Sequence, residues 1–365
     1  MENQNTMRIL TEMPKRIPEE GTFELTVRCN LHCKMCLFRH DDRENNELMA
    51  KELTATQWVD IAKQAAEAGT LQLLITGGEP MLRRDFCEIW EEIYKCGFII
   101  ELYTNATLVT PKIMETLRKY PPHMIGITIY GSSPETYEKV CGTKEAFKRM
   151  VEGVHCLQTL PSIISYRTTI IRDNVQDLSA MEALLKNEFK TANKLTNTRM
   201  VTKAVRGACS DVETCRLSAE ESFNLLIERA KKQLLENEKE SIKKNSCMRL
   251  IQFPKAEKKH LTLLGCEAGM RRYTITWDGK LQGCQILGVF STDALSLGFQ
   301  KAWEDFPSKI KLPSLNSHCV ECNLKDLCEC CYAFRYSETG DLQGIPEYIC
   351  QNTKITNEAL RRKIL

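Results

Sequence analysis

The chain has 365 residues, and 50 Lys and Arg against 48 Asp and Glu give a formal net charge of +2. This near-neutral balance argues against a strongly basic nucleic-acid surface, and the absence of an apolar run of about 18 residues argues against a membrane span. The first 20 residues are polar and lack the apolar core of a secretory signal. The sequence therefore predicts a cytoplasmic protein whose partners include neither nucleic acid nor membrane.

Between residues 22 and 205, short apolar runs alternate with segments of helical periodicity. The predicted strands are residues 23–27, 72–76, 99–104, 124–130, 163–171 and 198–202. The predicted helices are residues 55–68, 84–95, 111–119, 144–157 and 175–186, the first with Thr54 as its N-cap and Gln57 completing a capping box. Six strands with helices between them favour parallel βαβ units, and six are too few for a closed eight-unit barrel. We therefore expect an α/β fold, a partial (β/α)6 TIM-like barrel with its site at the C-terminal ends of the strands.

The composition changes after the barrel segment. Residues 217–244 predict one charged helix, and residues 272–277 and 280–285 predict a hairpin around an Asp278-Gly279 turn. The loops that follow are dense in cysteine. The predicted domains are an N-terminal segment (1–21), the barrel (22–216), a linking helix and connector (217–262), a cysteine-rich domain (263–351) and a C-terminal tail (352–365).

The sequence contains 18 cysteines. A long chain without an export signal is an improbable disulfide scaffold, and clustered thiols in a reducing compartment more often bind metal. The ligand candidates are Cys29, Cys33, Cys36, Cys266, Cys284, Cys319, Cys322, Cys328, Cys330, Cys331 and Cys350. The other seven are scattered, and three of them (Cys87, Cys96 and Cys156) fall in amphipathic helix patterns typical of small core residues.

The first three cysteines form a C-x3-C-x2-C motif directly after the first predicted strand. Three closely spaced thiolates on a loop can hold three irons of a [4Fe–4S] cube and leave the fourth iron open to a small molecule. A structural zinc site is the alternative, although it usually has four closed ligands.

A second motif, Thr76-Gly77-Gly78-Glu79-Pro80, ends the second predicted strand. Two glycines let the backbone approach a ligand closely, and the carboxylate of Glu79 can accept a hydrogen bond from a ligand amine. Taken alone, the segment also fits a plain Gly-Pro turn between a strand and a helix.

Together these motifs resemble those of the radical S-adenosylmethionine (SAM) enzymes, from about residue 23 to residue 205. The resemblance implies that Cys29, Cys33 and Cys36 hold a [4Fe–4S] cluster that cleaves SAM reductively to a 5′-deoxyadenosyl radical. It also implies SAM contacts from Phe38 at the adenine, from Gly77, Gly78 and Glu79 at the methionine amino group, from Thr104 and Asn105 after the third strand, from Ser132 at the ribose and from Arg167 at the carboxylate. Ser132 equally fits a helix start, with Ser133 as N-cap and Pro134 next, and Arg167 also fits an ordinary ion pair.

The C-terminal cysteines resemble the SPASM extension of radical SAM peptide maturases, which holds two auxiliary [4Fe–4S] clusters. The resemblance implies one cluster on Cys266, Cys284 and Cys331 and another on Cys319, Cys322, Cys328 and Cys350. Cys330 is an alternative to Cys331 because the family spacing falls between them. Arg272 stands where some relatives have a further cysteine, so the first auxiliary cluster keeps an open iron or borrows a ligand such as Cys247. A four-cysteine zinc ribbon is the other reading of the C-x2-C pair.

The resemblance implies maturation of a ribosomally synthesised precursor peptide through a thioether or carbon–carbon crosslink. The alternatives are an anaerobic sulfatase maturase that forms formylglycine, and a peptide epimerase with Cys209, Cys215, Cys247 or Cys330 as hydrogen donor. A non-catalytic iron–sulfur electron carrier or a zinc-binding interaction protein are further alternatives. The expected partners are the precursor peptide and a flavodoxin- or ferredoxin-like electron donor. Since only about 20 residues precede the first strand, leader binding is expected to fall to the barrel, the cluster domain or a separate leader-binding protein.

Overall fold

The computed structural model describes residues 15–240 and 262–361. These residues belong to two compact units, one drawn from Met1–Arg216 and Thr262–Lys311 and the other from Leu217–Leu261 and Leu312–Leu365. The first unit thus groups barrel residues with the first part of the predicted cysteine-rich domain. The functional domain boundaries given above remain a prediction. No helix among the described residues is long and apolar enough to cross a membrane.

The first unit is built on a nine-stranded sheet. Its strands are β1 (Glu20–Glu24), β2 (Gln72–Thr76), β3 (Ile99–Thr104), β4 (Met124–Thr128), β5 (Ile163–Thr169), β6 (Thr196–Thr198), β7 (Arg272–Ile275), β8 (Lys280–Gln282) and β9 (Ser291–Asp293). The spatial order is β6-β5-β4-β3-β2-β1-β7-β8-β9, and β1 to β6 pair in parallel. This arrangement confirms the predicted α/β fold with an open parallel sheet.

Helices separate the parallel strands, as expected for right-handed crossovers. In chain order the helices of both units are α1 (Asn45–Lys51), α2 (Ala55–Glu67), α3 (Phe86–Tyr94), α4 (Pro111–Lys119), α5 (Pro134–Cys141), α6 (Glu145–Leu157), α7 (Leu178–Asn187), α8 (Val212–Cys215), α9 (Ala219–Glu240), α10 (Ala294–Leu297), α11 (Phe299–Lys309), α12 (Ser317–Val320), α13 (Tyr332–Thr339) and α14 (Glu347–Arg361). The predicted capping box is present, since Gln57 N donates to Thr54 Oγ1 at 3.3 Å and Thr54 N donates to Gln57 Oε1 at 2.8 Å.

The two faces of the sheet differ because side chains alternate along each strand. One face is apolar and packs against helices, as where the ring of Phe23 lies 5.1 Å from that of Trp58 on α2. On β3, Ile100 and Leu102 are buried on this face, whereas Glu101 and Tyr103 lie on the other. The second face therefore carries polar side chains and is the face available to a ligand.

The predicted hairpin is confirmed as β7 and β8, which pair antiparallel. β7 also pairs in parallel with β1, with Arg272 opposite Glu20, which was not predicted. Gly21 makes the pairing possible, because a Cβ at that position would lie 2.5 Å from the hydroxyl of Tyr273. The pairing joins the segment after Cys266 to the first strand of the parallel sheet.

The second unit is helical, and α9 packs against α14 within it. Short segments lie between them in the chain, including the four-residue helix α12 and the eight-residue helix α13. Five of the cysteine ligand candidates (Cys319, Cys322, Cys328, Cys330 and Cys331) lie in the stretch from α12 to the start of α13, and Cys350 lies on α14.

Candidate functional site

The Gly-Gly-Glu-Pro segment lies directly against the chain that leads from β1 into the cysteine loop. Gly78 N donates to the carbonyl of Thr26 at 2.7 Å, and Glu79 N donates to the carbonyl of Arg28 at 3.0 Å. A Cβ on Gly78 would lie 2.2 Å from the oxygen of Arg28, and one on Gly77, whose φ is 148°, would lie 2.3 Å from that of Thr26. The two glycines are thus required by a close approach within the protein itself.

Glu79 is fully buried, and its carboxylate connects the ends of β2 and β3. It accepts hydrogen bonds from Met81 N at 3.1 Å, from Thr104 Oγ1 at 2.9 Å and from Asn105 N at 2.8 Å. Burial raises the pKa of Glu79 to about 7, and these three hydrogen bonds oppose that rise. Three of the predicted SAM contacts, Glu79, Thr104 and Asn105, therefore form one connected group.

Asn105 extends this group to the cysteine loop. Its Nδ2 donates to Asn30 Oδ1 at 3.0 Å and lies 3.8 Å from Cys29 Sγ. Leu31 N also donates to Cys29 Sγ, at 3.4 Å. Burial raises the pKa of the Cys29 thiol, with Cys33 and Glu79 adding to the rise, so these groups are electrostatic neighbours of Cys29.

The cysteine loop rests on the C-terminal end of α5. His32 N and Lys34 N donate to the carbonyls of Cys141 and Val140, at 2.9 and 3.0 Å, and so satisfy acceptors that a helix end leaves without partners. The Cys33 thiol hydrogen-bonds with Cys141, which together with burial raises the pKa of Cys33. Burial likewise raises the pKa of Cys36 to about 11, opposed by the N–H groups of Phe38 and Arg39.

The donor set of the loop fits a [4Fe–4S] cluster. It offers three thiols on one short segment, with backbone N–H groups directed at Cys29 and Cys36, as sulfur ligands of such clusters accept. In the part of the chain that the structure describes, no three Cys, His, Asp or Glu side chains already converge at metal-ligating distances.

The predicted adenine contact, Phe38, is half-buried beside a charged pair that the sequence did not reveal. The guanidinium of Arg206 lies 4.3 Å from the centroid of the Phe38 ring, and Arg206 forms two hydrogen bonds to the buried carboxylate of Glu24, at 2.7 and 2.8 Å. Val205 N donates to the carbonyl of Leu37 at 3.0 Å, which brings the segment after β6 to the cysteine loop. One signal for this pair was present in the sequence, because the alternation along β1 puts Glu24 on the polar face.

The two other predicted SAM contacts have protein partners. Ser132 donates from its N–H and its hydroxyl to the Asp177 carboxylate, each at 3.0 Å, and α5 begins at Pro134 with Ser133 as its N-cap. The guanidinium of Arg167 stacks on the ring of Tyr103, 4.0 Å from its centroid, and its Nε is buried without a hydrogen-bond partner among the described residues. Arg167 therefore has donor capacity left for a ligand.

Four predicted ligands of the second auxiliary cluster lie in the helical unit. Arg335 Nη1 donates to Cys319 Sγ at 3.2 Å, and Leu324 N donates to Cys322 Sγ at 3.4 Å. A hydrogen bond with the Cys330 thiol lowers the pKa of Cys328 to about 5, and burial raises that of Cys350, with Cys328 and Cys319 adding to the rise. Cys319, Cys328 and Cys350 are therefore electrostatic neighbours of one another, whereas the contact of Cys322 is with the backbone of Leu324.

The remaining predicted ligands are Cys266 and Cys284 in the first unit and Cys331 in the second. Cys266 and Cys284 line a cavity of about 570 Å³ on the polar face of the sheet, near the N-terminal ends of β1 and β2. Cys331 is exposed and is the N-cap residue of α13. Cys247, considered as an additional ligand or hydrogen donor, lies outside the described residues.

Residues 23–185 match the family model described as the radical SAM superfamily. This part of the chain is a radical SAM domain, and the prediction of such a domain followed by a cysteine-rich C-terminal region is confirmed.

Two curated proteins of Methanosarcina barkeri are similar to the chain. One is an AdoMet-dependent heme synthase, 26% identical over 360 residues, a match that spans 92% of this chain and 96% of that protein. The other is an Fe-coproporphyrin III synthase, 26% identical over 333 residues, spanning 84% and 81%.

Solved structures with the same fold include those of SuiB and anSMEcpe. Streptococcus suis SuiB bound to S-adenosylmethionine superposes with a TM-score of 0.68 at 17% identity, covering 96% of this chain and 81% of SuiB. SuiB bound to its precursor peptide SuiA gives a TM-score of 0.64 at 16% identity, covering 95% and 80%. Native anSMEcpe with bound AdoMet also gives 0.64 at 16% identity, covering 94% and 98%. At these identities the likeness shows the fold.

Proposed function

We propose that this radical SAM enzyme modifies a ribosomally synthesised peptide, forming a thioether or carbon–carbon crosslink between side chains. The observation that carries the proposal is the connected group at the C-terminal ends of β1, β2 and β3, in which Glu79 and Asn105 link the second and third strands to the cysteine loop. When bound there, a [4Fe–4S] cluster supplies the electron that cleaves SAM to a 5′-deoxyadenosyl radical. The fold shared with SuiB, whose structure is known with a precursor peptide, supports a peptide substrate.

In this proposal the protein groups position SAM and exclude water. Cys29, Cys33 and Cys36 hold the cluster. Gly77 and Gly78 set the path of the backbone so that Glu79 and the strand end at Thr104 and Asn105 face the methionine amino group. Fixed polar groups of this kind orient a ligand without reorganising during the reaction.

Three further residues are assigned to the adenine, ribose and carboxylate groups of SAM. Phe38, with Arg206 on its ring, is assigned to the adenine, and Ser132 to the ribose. Arg167 is assigned to the SAM carboxylate. Its buried Nε, which has no hydrogen-bond partner in the described part of the chain, supports this because a guanidinium binds a carboxylate through paired N–H groups.

Two auxiliary [4Fe–4S] clusters complete the proposal. The first is assigned to Cys266, Cys284 and Cys331, and the second to Cys319, Cys322, Cys328 and Cys350. Clusters held by these residues would supply an acceptor for the electron that an oxidative crosslink releases. A flavodoxin- or ferredoxin-like protein supplies the first electron, and a separate small protein presents the leader of the precursor peptide.

The test is anaerobic reconstitution of the full chain with iron and sulfide, followed by reduction with dithionite in the presence of SAM. We expect 5′-deoxyadenosine, its loss in Cys29→Ala, and iron near twelve atoms per chain for three [4Fe–4S] clusters. Cys156→Ala is the matched control and should keep both the 5′-deoxyadenosine and the iron content. Cys156 lies on α6 and is exposed, so its prediction as a small core residue is wrong. Cys319→Ala should keep 5′-deoxyadenosine formation but lose the peptide product. No 5′-deoxyadenosine from the wild type, or zinc in place of iron, would exclude the proposal.

A second candidate substrate is an iron–tetrapyrrole. It is favoured by one observation, the 26% identity over 92% of this chain to a heme synthase. The two substrate classes are separated by incubating the reduced enzyme with SAM and either Fe-coproporphyrin III or peptides encoded beside its gene. A mass change in the tetrapyrrole with none in any peptide would favour the second candidate.

A further inference from the structure

The cavity on the polar face of the sheet contains one half-buried carboxylate that has no ion-pair or hydrogen-bond partner among the described residues. Three glutamates line this cavity of about 570 Å³: Glu20, Glu101 and Glu267. Glu20 pairs with Arg272 at 2.7 Å, and Glu267 is exposed to water. Glu101 is half-buried, and no described residue forms an ion pair or hydrogen bond with its carboxylate.

The two cations that act electrostatically on Glu101, Arg167 and His123, form no ion pair with its carboxylate. The guanidinium of Arg167 is held over the ring of Tyr103 instead, an arrangement that Gly126 permits because a Cβ there would lie 2.7 Å from that ring. Burial raises the pKa of Glu101, Arg167 and His123 only partly oppose this, and Glu20 adds to it. A ligand that brings a cation would stabilise a half-buried carboxylate of this kind, since an opposite charge offsets the free-energy cost of burial.

The surroundings of Glu101 suit a long aliphatic side chain with a charged end. Leu74 lies opposite Glu101 in the pairing of β2 and β3, and Tyr103 is two residues further along the same face. Lysine and arginine bury their methylene stems on such apolar surface and keep the charged group at a polar partner. The cavity thus combines an apolar wall with one acidic end.

We propose that Glu101 binds a cationic group of the substrate, a primary ammonium or a guanidinium, and so selects a lysine or arginine side chain of the peptide. This inference rests on the proposed peptide function and specifies its substrate. A tetrapyrrole carrying carboxylate side chains would be disfavoured at the same position, since like charges in a half-buried site repel.

The test uses the reconstituted full chain with SAM and four peptides, acetyl-Gly-Gly-Xaa-Gly-Gly-amide with lysine, arginine, norleucine or glutamate at Xaa. Dissociation constants are measured anaerobically by calorimetry or saturation-transfer NMR. We expect the lysine and arginine peptides to bind roughly tenfold or more tightly than the norleucine peptide, as for hydrogen bonds between charged groups. Glu101→Gln should bring this ratio close to one. Glu267→Gln, a cavity carboxylate exposed to water, should leave it unchanged.

A second variant keeps the inference testable if Glu101→Gln does not fold. Leu74→Lys places a tethered ammonium opposite Glu101 and should abolish the lysine preference, whereas Leu74→Met should keep it. A wild type that does not prefer the cationic peptides, or an equal loss of preference in Glu101→Gln and Glu267→Gln, would overturn the inference. The formation of 5′-deoxyadenosine in the same preparations separates this failure from that of the proposed enzyme.

Discussion

The two regions rich in candidate cysteine ligands are held in place by different means. The loop with Cys29, Cys33 and Cys36 rests on backbone hydrogen bonds to α5 and to the Gly-Gly-Glu-Pro segment, and burial raises the pKa of its thiols. The segment from Cys319 to Cys331 has only a four-residue helix and turns, and its thiols contact one another and Arg335. The first site is thus formed by the protein fold, whereas we expect the second to depend on a cluster bound by its thiols.

The largest expected difference between the two regions follows the removal of iron. Anaerobic chelation should raise amide exchange at residues 317–331 at least about a hundredfold, because binding free energy at a structural metal site, on the order of 10 kcal/mol for zinc, is folding free energy there. Residues 72–104 should keep their protection. Cys319→Ser should reproduce the effect in untreated protein. Equal protection of residues 317–331 with and without iron would show that this segment, like the first site, is held by the protein fold.

The rigidity of the first site is tested by adding a single methyl group. Gly78→Ala forces a Cβ to within 2.2 Å of the oxygen of Arg28, and should lower the unfolding free energy by about 3 kcal/mol or more and suppress 5′-deoxyadenosine formation. The matched control is Gly97→Ala. Gly97 has a positive φ, 87°, which Gly78 does not, but its added Cβ would contact nothing within 4 Å, so a loss of about 1 kcal/mol is expected from the backbone conformation alone. Denaturant unfolding measures the unfolding free energy of both variants. Similar losses would show that the close approach of Gly78 to Arg28 does not stabilise the site.

A buried ionic group supports the same loop. Glu52 pairs through both oxygens with Arg28, at 2.9 and 2.8 Å, and accepts from the hydroxyl of Thr26. Glu52→Gln should cost about 2 kcal/mol, somewhat less than a fully buried pair because Arg28 keeps some contact with water. Glu138→Gln, which removes the exposed pair with Lys144, should cost less than about 0.5 kcal/mol. If both variants unfold at the same denaturant concentration, Glu52 does not stabilise the loop.

The smallest effect concerns α2, the second of the two helices between β1 and β2. Thr54→Ala removes the side-chain half of the capping box of α2 and should cost about 1 kcal/mol, and Thr54→Ser should restore it. Thermal unfolding measures the shift. A loss in Thr54→Ala that Thr54→Ser does not reverse would mean that the methyl group, and not the hydrogen bond, is responsible.

Local sequence signals predicted the sheet well where strands are short, apolar and followed by clear breaks. β2, β3 and α4 match their predicted bounds residue for residue. The first strand was predicted at 23–27 but lies at Glu20–Glu24, and the last parallel strand was predicted at 198–202 but lies at Thr196–Thr198. Their bounds are determined by pairing with β2, β5 and β7, and a single sequence does not show pairing.

Other features had weak local signals or none. α5 was not among the predicted helices, although its capping serine and Pro134 were noted, because eight residues give little periodicity. The structure brings Cys29, Glu79 and Asn105, all noted in the motifs, close together, and their contacts with SAM stay a prediction. The motifs did not reveal Arg206 over Phe38 or Glu101 in the cavity, since both depend on which strands become neighbours.

The parallel pairing of β1 with β7 has a consequence for synthesis of the chain. Glu20 and its partner Arg272 are separated by 252 positions, so one edge of β1 stays open until β7, about three quarters of the way along the chain, has emerged. At the usual pace of translation this takes roughly 10 to 50 seconds, during which an unpaired strand edge invites association with other chains. Ribosomes stalled before residue 272 should therefore carry aggregation-prone nascent chains that a chaperone retains.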